Sequence, residues 1–274
     1  MKTQNEASKK RGVVTILING LPLVQIELKK IGTDYLKAFS QIKNYSKEAY
    51  LHNPLFRFIQ LFIISNDLTT RYFANNDVEQ MNEQHIFEWV DDKNQTIDNL
   101  EKFVAFFLKP CFLAEVIASF IVLDENDKKL IVMRPHQIHA VRALIEKAKN
   151  TNNHGYVWHS TGSGKTLTSF KLSQSLKYTV PEVQIFFLVD RKDLDHQTVT
   201  AFNRFEADSI DYTENTTKLR QQLKDKNANL ILTTIQKMSS IAKKRDIMIY
   251  SKDFKTKKLF LLSTNVIVLF LAIC

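Results

Sequence analysis

Few residues of this 274-residue chain favour turns, since it contains six glycines and five prolines. Collagen-like repeats, Gly/Ser linkers and turn-dense all-β arrays need many residues that accept a positive φ or fix φ near about −65°. The composition therefore favours a helix-rich or α/β architecture. Gly155, Gly162 and Gly164 lie within ten residues of one another, and no glycine follows them. Backbone freedom is thus concentrated at one place in the sequence.

Cysteine is equally scarce, with only Cys111 and Cys274 in the whole sequence. Two distant cysteines exclude a disulfide scaffold and a cysteine-based zinc site. A reducing cytoplasm is the expected location. The polar segment 1–6 lacks the apolar core of a secretory signal peptide.

The charge balance points to the class of partner. The formal net charge is +9 and the sequence pI is about 9.3, while 44% of the residues are hydrophobic. A basic chain suits a polyanionic partner, although an excess of this size also serves solubility. The hydrophobic content is sufficient for a sizeable core.

The first part of the sequence predicts a small α/β domain over residues 1–122. Asn19-Gly20 between two β-branched runs is a strong hairpin signal, and apolar residues recur at helical spacing on either side of a continuous apolar run. The polar stretch 123–132 is expected to be a linker. The expected elements are a hairpin, a helix, a strand and a second helix over residues 13–29, 35–53, 56–65 and 99–117.

Strands alternate with helices after the linker, which predicts a parallel sheet covered by helices over residues 133–258. Pro135 suits the first turn of a helix. The expected strands span residues 155–158, 183–189 and 228–233, and the expected helices span residues 138–148, 165–176 and 193–205.

A phosphate-binding loop follows the first of these strands. Residues 159–166 read HSTGSGKT and open a predicted helix. The two glycines let successive backbone N–H groups point at phosphate oxygens, and the helix adds its positive N-terminal end. Lys165 is expected to reach the β- and γ-phosphates of a nucleotide, and the Thr166 hydroxyl to hold Mg²⁺. The predicted cofactor-binding loop residues are Thr161, Gly162, Ser163, Gly164, Lys165 and Thr166.

Around this loop the sequence resembles the first motor domain of superfamily 2 helicases, in the form found in type I restriction enzymes. The resemblance is carried by "MRPHQIHAV" before the loop and by "FFLVDRKDLDHQT" and "ILTTIQKM" after it. It implies an incomplete RecA-like domain in which Gln137 contacts adenine. It also implies DNA-backbone contacts from Arg191, Thr233, Thr234 and Gln236.

The predicted hairpin carries a Glu-x-Lys pattern on its second strand. Glu27 and Lys29 share a face because strand residues alternate. Such a pair suits metal-dependent phosphodiester cleavage, in which Glu27 holds Mg²⁺ and Lys29 polarises water or neutralises charge. A solvated Glu–Lys pair is the common alternative. The stretch "INGLPLVQIELKK", followed by Gln41 and Tyr45, resembles the PD-(D/E)xK nuclease domain of the same restriction subunit. This resemblance implies a restriction-endonuclease-like mixed sheet and a catalytic role for Glu27, Lys29, Gln41 and Tyr45.

That resemblance also implies a second carboxylate, 14 residues before the glutamate, where this chain has Val13. Simple pairing about Asn19-Gly20 brings residues 12 and 13 beside Ile26 and Glu27. The two-acid metal site is therefore incomplete as written. We expect little or no DNA cleavage by this chain.

The segment 259–274 is an aberrant apolar tail in which 13 of 16 residues are apolar. It is shorter than the roughly 20 residues of a membrane-spanning helix, and we expect no membrane partner. A buried strand and a membrane-seeking tail remain structural alternatives. The resemblance implies an Asp-Glu strand here, and a permitted back-translation of residues 262–269 in another frame reads Phe-Asp-Glu-Cys-His-Arg-Ser. A frameshift near Lys258 that truncates a longer subunit is the resulting hypothesis.

The resemblance implies the motor and nuclease subunit of a type I restriction system, an ATP-dependent DNA translocase and endonuclease. ATP and Mg²⁺ are the implied cofactors. Double-stranded DNA and the methylation and specificity subunits are the implied partners. The expectation for this chain is a truncated and catalytically impaired form. A non-catalytic DNA- or subunit-binding remnant and an unrelated P-loop helicase or ATPase are the alternatives.

Overall fold

The computed structural model describes residues 12–52, 54–151, 155–160, 162–180, 183–189, 192–207, 209–224, 230–243, 258–263 and 267–272. The chain divides into two compact units. The first comprises Met1–Val122 with Lys129–Pro135, and the second comprises Leu123–Lys128 with His136–Cys274. None of the helices in the described ranges has the length and apolar character needed to cross a membrane.

The first unit contains a four-stranded sheet and three helices. Its expected helix over residues 99–117 is divided in two, because Pro110 occupies the first turn of a new helix and interrupts the previous one. Only the second half of the expected strand 56–65 is extended, and a 3-10 helix occupies Pro54–Phe58. The elements are β1 (Gly12–Ile18), β2 (Leu21–Leu28), α1 (Leu36–His52), β3 (Leu61–Ser65), β4 (Thr70–Ala74), α2 (Leu100–Phe107) and α3 (Pro110–Ser119).

The hairpin between β1 and β2 contains a bulge that sets the register of the sheet. Asn19 and Gly20 have φ values of 51° and 82°, as a tight two-residue hairpin turn requires. The register shifts between Ile16 and Leu17. Simple pairing about the turn is therefore corrected by one residue, and Val13 lies directly opposite Glu27. Since directly opposed residues share a face, the bulge brings these two positions to the same side of the sheet.

The sheet of the first unit is mixed and has the order β1-β2-β3-β4. β2 and β3 run parallel, while the two outer pairs are antiparallel. Helix α1 covers the face that carries Phe62 and Ile64 and buries Phe39 and Ile42 against it. An aromatic cluster forms the rest of the core, with Trp89 and Phe107 at its centre and ring centroids 5.1 Å apart.

Residues 121–132 form a hairpin rather than an extended linker, with β5 (Ile121–Asp124) paired to β6 (Lys129–Val132). Asp124 is fully buried and accepts a hydrogen bond of 2.6 Å from the Nε of Arg204. The same guanidinium donates to the exposed Asp127. Among these groups only Asp124 loses all contact with water, so it depends most on the ion pair.

The second unit is an α/β domain with a six-stranded sheet. Helix α4 starts at Pro135, and α5 starts directly after the phosphate loop. Sequence patterns predicted three strands and three helices of this unit, whereas β9, α7 and α8 were not predicted. The elements are α4 (Pro135–Asn150), β7 (Gly155–Val157), α5 (Lys165–Thr179), β8 (Val183–Val189), α6 (Lys192–Asn203), β9 (Asp211–Tyr212), α7 (Thr216–Lys224), β10 (Leu230–Thr234), α8 (Ile235–Lys243), β11 (Lys258–Ser263) and β12 (Ile267–Ala272).

This sheet has the order β7-β12-β11-β8-β10-β9 and is mostly parallel. β8 pairs in parallel with both β10 and β11, whereas β12 is antiparallel to both β11 and β7. The three strands predicted over residues 133–258 are thus mutually parallel, as expected, and the reversed strand lies in the apolar segment that follows. The apolar segment 259–274 supplies β11 and β12, in agreement with the strand alternative for this segment.

Helices cover both faces of the β8–β10 region. Phe186 and Ile231 pack with α7 and α8 in one core cluster. On the other face, the ring centroids of Phe187 and Phe202 are 5.2 Å apart. Lys171 on α5 is buried and donates to the Oε1 of Gln174 at 2.6 Å, and burial lowers the pKa of its ammonium.

Candidate nucleotide and nuclease sites

The phosphate loop joins β7 to α5 at the carboxyl end of the strand. Gly162 and Gly164 have φ values of 77° and 82°, in the left-handed region that L side chains rarely adopt. A Cβ atom on Gly164 would lie 2.3 Å from the Nε2 of Gln137, whereas one on Gly162 would meet nothing within 4 Å. Gly164 is therefore required by both its dihedral angle and its close neighbour.

Lys165 folds back over the loop that precedes it. Its Nζ donates to the carbonyl oxygens of His159 at 3.3 Å and Ser160 at 3.0 Å. Among the described residues, its hydrogen-bond acceptors are these two neutral carbonyls, so an anionic phosphate offers the ammonium a stronger, charge-assisted partner. Backbone N–H groups at the start of α5 add to this anion-binding character. The arrangement fits a nucleotide phosphate.

Ser163 contacts residues before the loop and within it. Its hydroxyl donates to the carbonyl of Ser160 at 2.8 Å and lies 3.1 Å from the Nδ1 of His159. Its carbonyl oxygen lies 3.1 Å from the Nε2 of His136 and accepts from the Nε2 of Gln137 at 3.2 Å. Burial, followed by the charges of His136 and Lys165, lowers the pKa of His159.

The amide of Gln137, predicted to contact adenine, is directed at the loop itself. Gln137 is 3% exposed, and its Nε2 donates to the carbonyls of Ser163 and Gly164. Thr166 is exposed in the first turn of α5, so its hydroxyl is open to a metal-bound nucleotide. Thr161 lies outside the described residues.

The segment predicted to follow DNA lies at the carboxyl end of β10. Thr233 and Thr234 are buried, and the Thr234 hydroxyl accepts from the backbone N–H of Lys237 at 3.2 Å. These positions do not favour direct phosphate contact by either threonine side chain, because the side chains do not reach solvent. Gln236 is exposed, and its DNA contact stays a prediction. Arg191 lies outside the described residues.

The four predicted nuclease residues form one hydrogen-bonded chain between β2 and α1. The Nζ of Lys29 donates to Glu27 Oε1 at 2.9 Å and also to the Oε1 of Gln41. Gln41 in turn donates to the Tyr45 hydroxyl at 2.6 Å. The Gln-x-x-x-Tyr spacing places both helix residues on one side of α1, where they face the strand. The structure thus brings together all four residues that the sequence singled out.

Glu27 has an unused oxygen in this arrangement. Its side chain is fully buried, and its Oε2 has no hydrogen-bond partner among the described residues. A buried orphan carboxylate oxygen suits a cation ligand. The directly opposite residue, Val13, offers no oxygen. No cluster of three or more metal-ligating side chains occurs in the described ranges, so these residues do not fit a two-acid Mg²⁺ centre.

A cavity of about 160 Å³ adjoins this chain of residues. Val13 and Thr15 line it from β1, Gln25 from β2, and Tyr45 from α1. The valine therefore borders the space that a second carboxylate would enter.

Sequence reasoning missed two other features, the contacts of His136 and His159 with Ser163 and the Asp124–Arg204 pair. Both depend on which residues the fold brings together, and sequence spacing does not show this.

Together these features define a class: a restriction-endonuclease-like mixed sheet followed by an incomplete RecA-like α/β unit with a phosphate loop. Family profiles match both parts. The profile "Type I restriction enzyme R protein N terminus" matches residues 2–80, and the profile "SWI2/SNF2 ATPase" matches residues 136–270.

Individual relatives agree with these profiles. A type I restriction enzyme endonuclease subunit of Staphylococcus saprophyticus is 54% identical over 235 residues, covering 86% of this chain and 25% of that protein. A relative from Mycoplasma pneumoniae, described as the C-terminal part of such a subunit, is 39% identical over 186 residues, or 64% of this chain and 89% of that protein. This chain therefore belongs to the family of type I restriction enzyme endonuclease subunits, the R subunits.

The chain spans about a quarter of the length of the staphylococcal relative. A solved fragment described as an HsdR subunit of a type I restriction enzyme from Vibrio vulnificus YJ016 is 14% identical, with a TM-score of 0.33. That match covers 89% of this chain and 43% of the solved one.

Proposed function

We propose that this chain carries the nucleotide-binding and nuclease-like parts of a type I restriction R subunit, and that it binds ATP with Mg²⁺ but is impaired in DNA cleavage. The phosphate loop would hold the nucleotide, with Lys165 neutralising phosphate charge and Thr166 close to the metal. Double-stranded DNA and the methylation and specificity subunits are the proposed partners. The cytoplasm is the proposed location.

The conformation of the loop is the observation that carries the nucleotide part of the proposal. Two left-handed glycines precede α5, and the lysine ammonium rests on the loop carbonyls. When a phosphate enters, the ammonium exchanges neutral acceptors for anionic oxygens, and the N–H groups of the loop and of the first turn of α5 donate to the same group. Binding therefore needs no change of fold.

The opposition of Val13 and Glu27 carries the second part. Phosphodiester cleavage of this type needs carboxylates to hold Mg²⁺, which polarises the phosphate and lowers the pKa of the attacking water. Glu27 can supply one ligand, while Lys29 and the Gln41–Tyr45 pair keep that carboxylate in place. With an isopropyl group in the second ligand position, the chain keeps the scaffold of the site but lacks a ligand.

Titration of the chain with fluorescently labelled ATP in the presence of Mg²⁺ tests the first part. Lys165→Ala is expected to weaken binding by at least tenfold, since the lysine makes a charge-assisted contact. Lys177→Ala is the matched control, because Lys177 is an exposed lysine in the last turn of the same helix and should leave affinity unchanged. Equal affinities of the wild type and Lys165→Ala would remove the loop from the binding site.

Incubation with plasmid DNA, Mg²⁺ and ATP tests the second part. The wild-type chain is expected to leave the DNA intact at concentrations where an active nuclease nicks it. Nicking that disappears in Glu27→Gln would show that one carboxylate is sufficient and would contradict the proposed impairment.

A further inference from the structure

Two histidines from different elements meet at one loop residue. His136 lies in the first turn of α4, and His159 precedes the loop. Their rings are 5.7 Å apart in an edge-to-face arrangement, and both contact Ser163, one at the carbonyl and one at the hydroxyl. His159 is 8% exposed. His159 is the first residue of the phosphate-loop stretch, at a position where the pattern does not require a histidine, and His136 lies outside it.

The hydrogen bonds of Ser163 fix which nitrogen of His159 carries a proton. A serine hydroxyl has a single hydrogen to donate. Since this hydrogen goes to the carbonyl of Ser160 at 2.8 Å, the Nδ1 of His159, 3.1 Å away, must be the donor. Neutral His159 is therefore the Nδ1–H tautomer, and its Nε2 is the site of further protonation.

The same reasoning applies to His136. A carbonyl oxygen only accepts hydrogen bonds, so the Nε2 of His136 must donate to Ser163. His136 therefore holds the loop through its Nε2–H. The His159 ring can become charged without breaking its bond to the loop, because its Nδ1–H is retained in the charged form.

We propose that His136 and His159 are positioning residues of the phosphate loop, and that protonation of His159 couples nucleotide binding to proton uptake. This inference rests on the proposed function, because it assigns a property to ATP binding at the same loop. Through Ser163 the histidines hold the segment between the two glycines. The charged form of His159 strengthens the anion-binding field without altering the loop.

The charges around His159 determine the sign of the coupling. The groups that act on it come from both helices beside it, His136 from α4 and Lys165 from α5. With burial, these positive neighbours lower the pKa of His159, so a large fraction of the ring is neutral near pH 7. A bound phosphate favours the imidazolium form and raises that pKa. Binding therefore takes up protons, and affinity rises as pH falls.

Isothermal titration of the full chain with ATP and Mg²⁺ tests the inference, in buffers of different ionisation enthalpy between about pH 6 and pH 8. An elementary charge about 8 Å from a phosphate near a protein surface, where the effective dielectric constant is about 20, is expected to tighten binding by up to about thirtyfold over this range. The wild type should show net proton uptake near the middle of the range. Protonation changes of the ATP phosphates themselves are common to all variants and cancel when proton uptake is compared between variants.

The matched variants are His159→Asn and His136→Gln, whose amides replace the donating N–H groups but do not titrate. The double variant is expected to lose the excess proton uptake and the rise of ATP affinity at low pH. His159→Ala, which removes the donor, should weaken binding at every pH, and the asparagine variant should restore it at high pH.

The outcomes separate this inference from the proposed function. Equal proton uptake by the wild type and the double variant, with ATP still bound through Lys165, would overturn the inference alone. Failure of the wild type to bind ATP at any pH would overturn the inference together with the proposed function.

Discussion

Val13→Asp is the substitution that most directly examines the nuclease-like site. Directly opposed residues of an antiparallel pair have Cβ atoms about 4.5–5.5 Å apart, and Val13 is opposite Glu27. An aspartate at position 13 would therefore bring two carboxylates close enough to share one cation. At about 5 Å and an effective dielectric constant near 20, two like charges repel by about 3 kcal/mol.

Two features of the site reduce this repulsion. Position 13 is 43% exposed, so solvent screens the new charge, and the Lys29 ammonium lies 2.9 Å from Glu27. We expect the metal-free variant to lose about 1–2 kcal/mol of stability, including the low strand propensity of aspartate. With a dissociation constant of about 0.1 mM, Mg²⁺ at about 10 mM would add about 2.7 kcal/mol.

Thermal unfolding with and without Mg²⁺ measures this difference. For a domain of this size, the added free energy corresponds to a Tm increase of about 5–10 °C. Val13→Asn is the matched control because it has a similar shape without the charge, and Val13→Asp combined with Glu27→Gln removes the other ligand. Neither control should respond to Mg²⁺. If Val13→Asp responds no more than Val13→Asn, positions 13 and 27 do not form a metal site.

Three further perturbations follow from the second unit. Gly164→Ala should reduce ATP affinity by at least tenfold in a binding titration, because it combines strain at positive φ with displacement of the Gln137 amide. Gly162→Ala adds only the strain of its own positive φ and should weaken ATP binding less. Equal effects would contradict this account. Arg204→Met should lower the unfolding free energy by about 2–3 kcal/mol in chemical denaturation, since it removes the cation that pairs with the buried Asp124 carboxylate. Asp127→Asn, which changes the exposed partner of the same arginine, should lower the unfolding free energy by less than about 1 kcal/mol. Burial lowers the pKa of Lys171 in the folded state, so between this lowered pKa and the ordinary value of 10.5 the unfolded state binds more protons than the folded one. The unfolding free energy of the wild type should therefore rise relative to that of Lys171→Met as pH rises through this window. A difference in unfolding free energy that does not change with pH would refute this assignment.

Local rules predicted the two turns that matter most. Asn-Gly between β-branched runs identified the hairpin, and closely spaced glycines identified the phosphate loop, because both depend on backbone conformations that few residues adopt. The sequence also predicted Glu27, Lys29, Gln41 and Tyr45 as one group of site residues, and these residues form one hydrogen-bonded chain. Their role in catalysis stays a prediction.

Non-local geometry was harder to predict. No residue type announces the bulge near Leu17, yet this bulge decides which face Val13 occupies. The helix break at Pro110 was overlooked because the apolar spacing continues across it. The antiparallel direction of β12 likewise depends on tertiary pairing and leaves no mark in an apolar segment.

The reversed strand β12 has a consequence for the order in which the second unit is built during synthesis. β7, which leads into the phosphate loop, pairs with β12 in the described sheet. The two strands are separated by on the order of a hundred residues in sequence, and pairing over such a separation is slow because it has a high contact order. A ribosome would have to release β12 before β7 could dock. The strand that leads into the phosphate loop would therefore join the sheet later than the β8–β10 core, which needs no residue beyond β10.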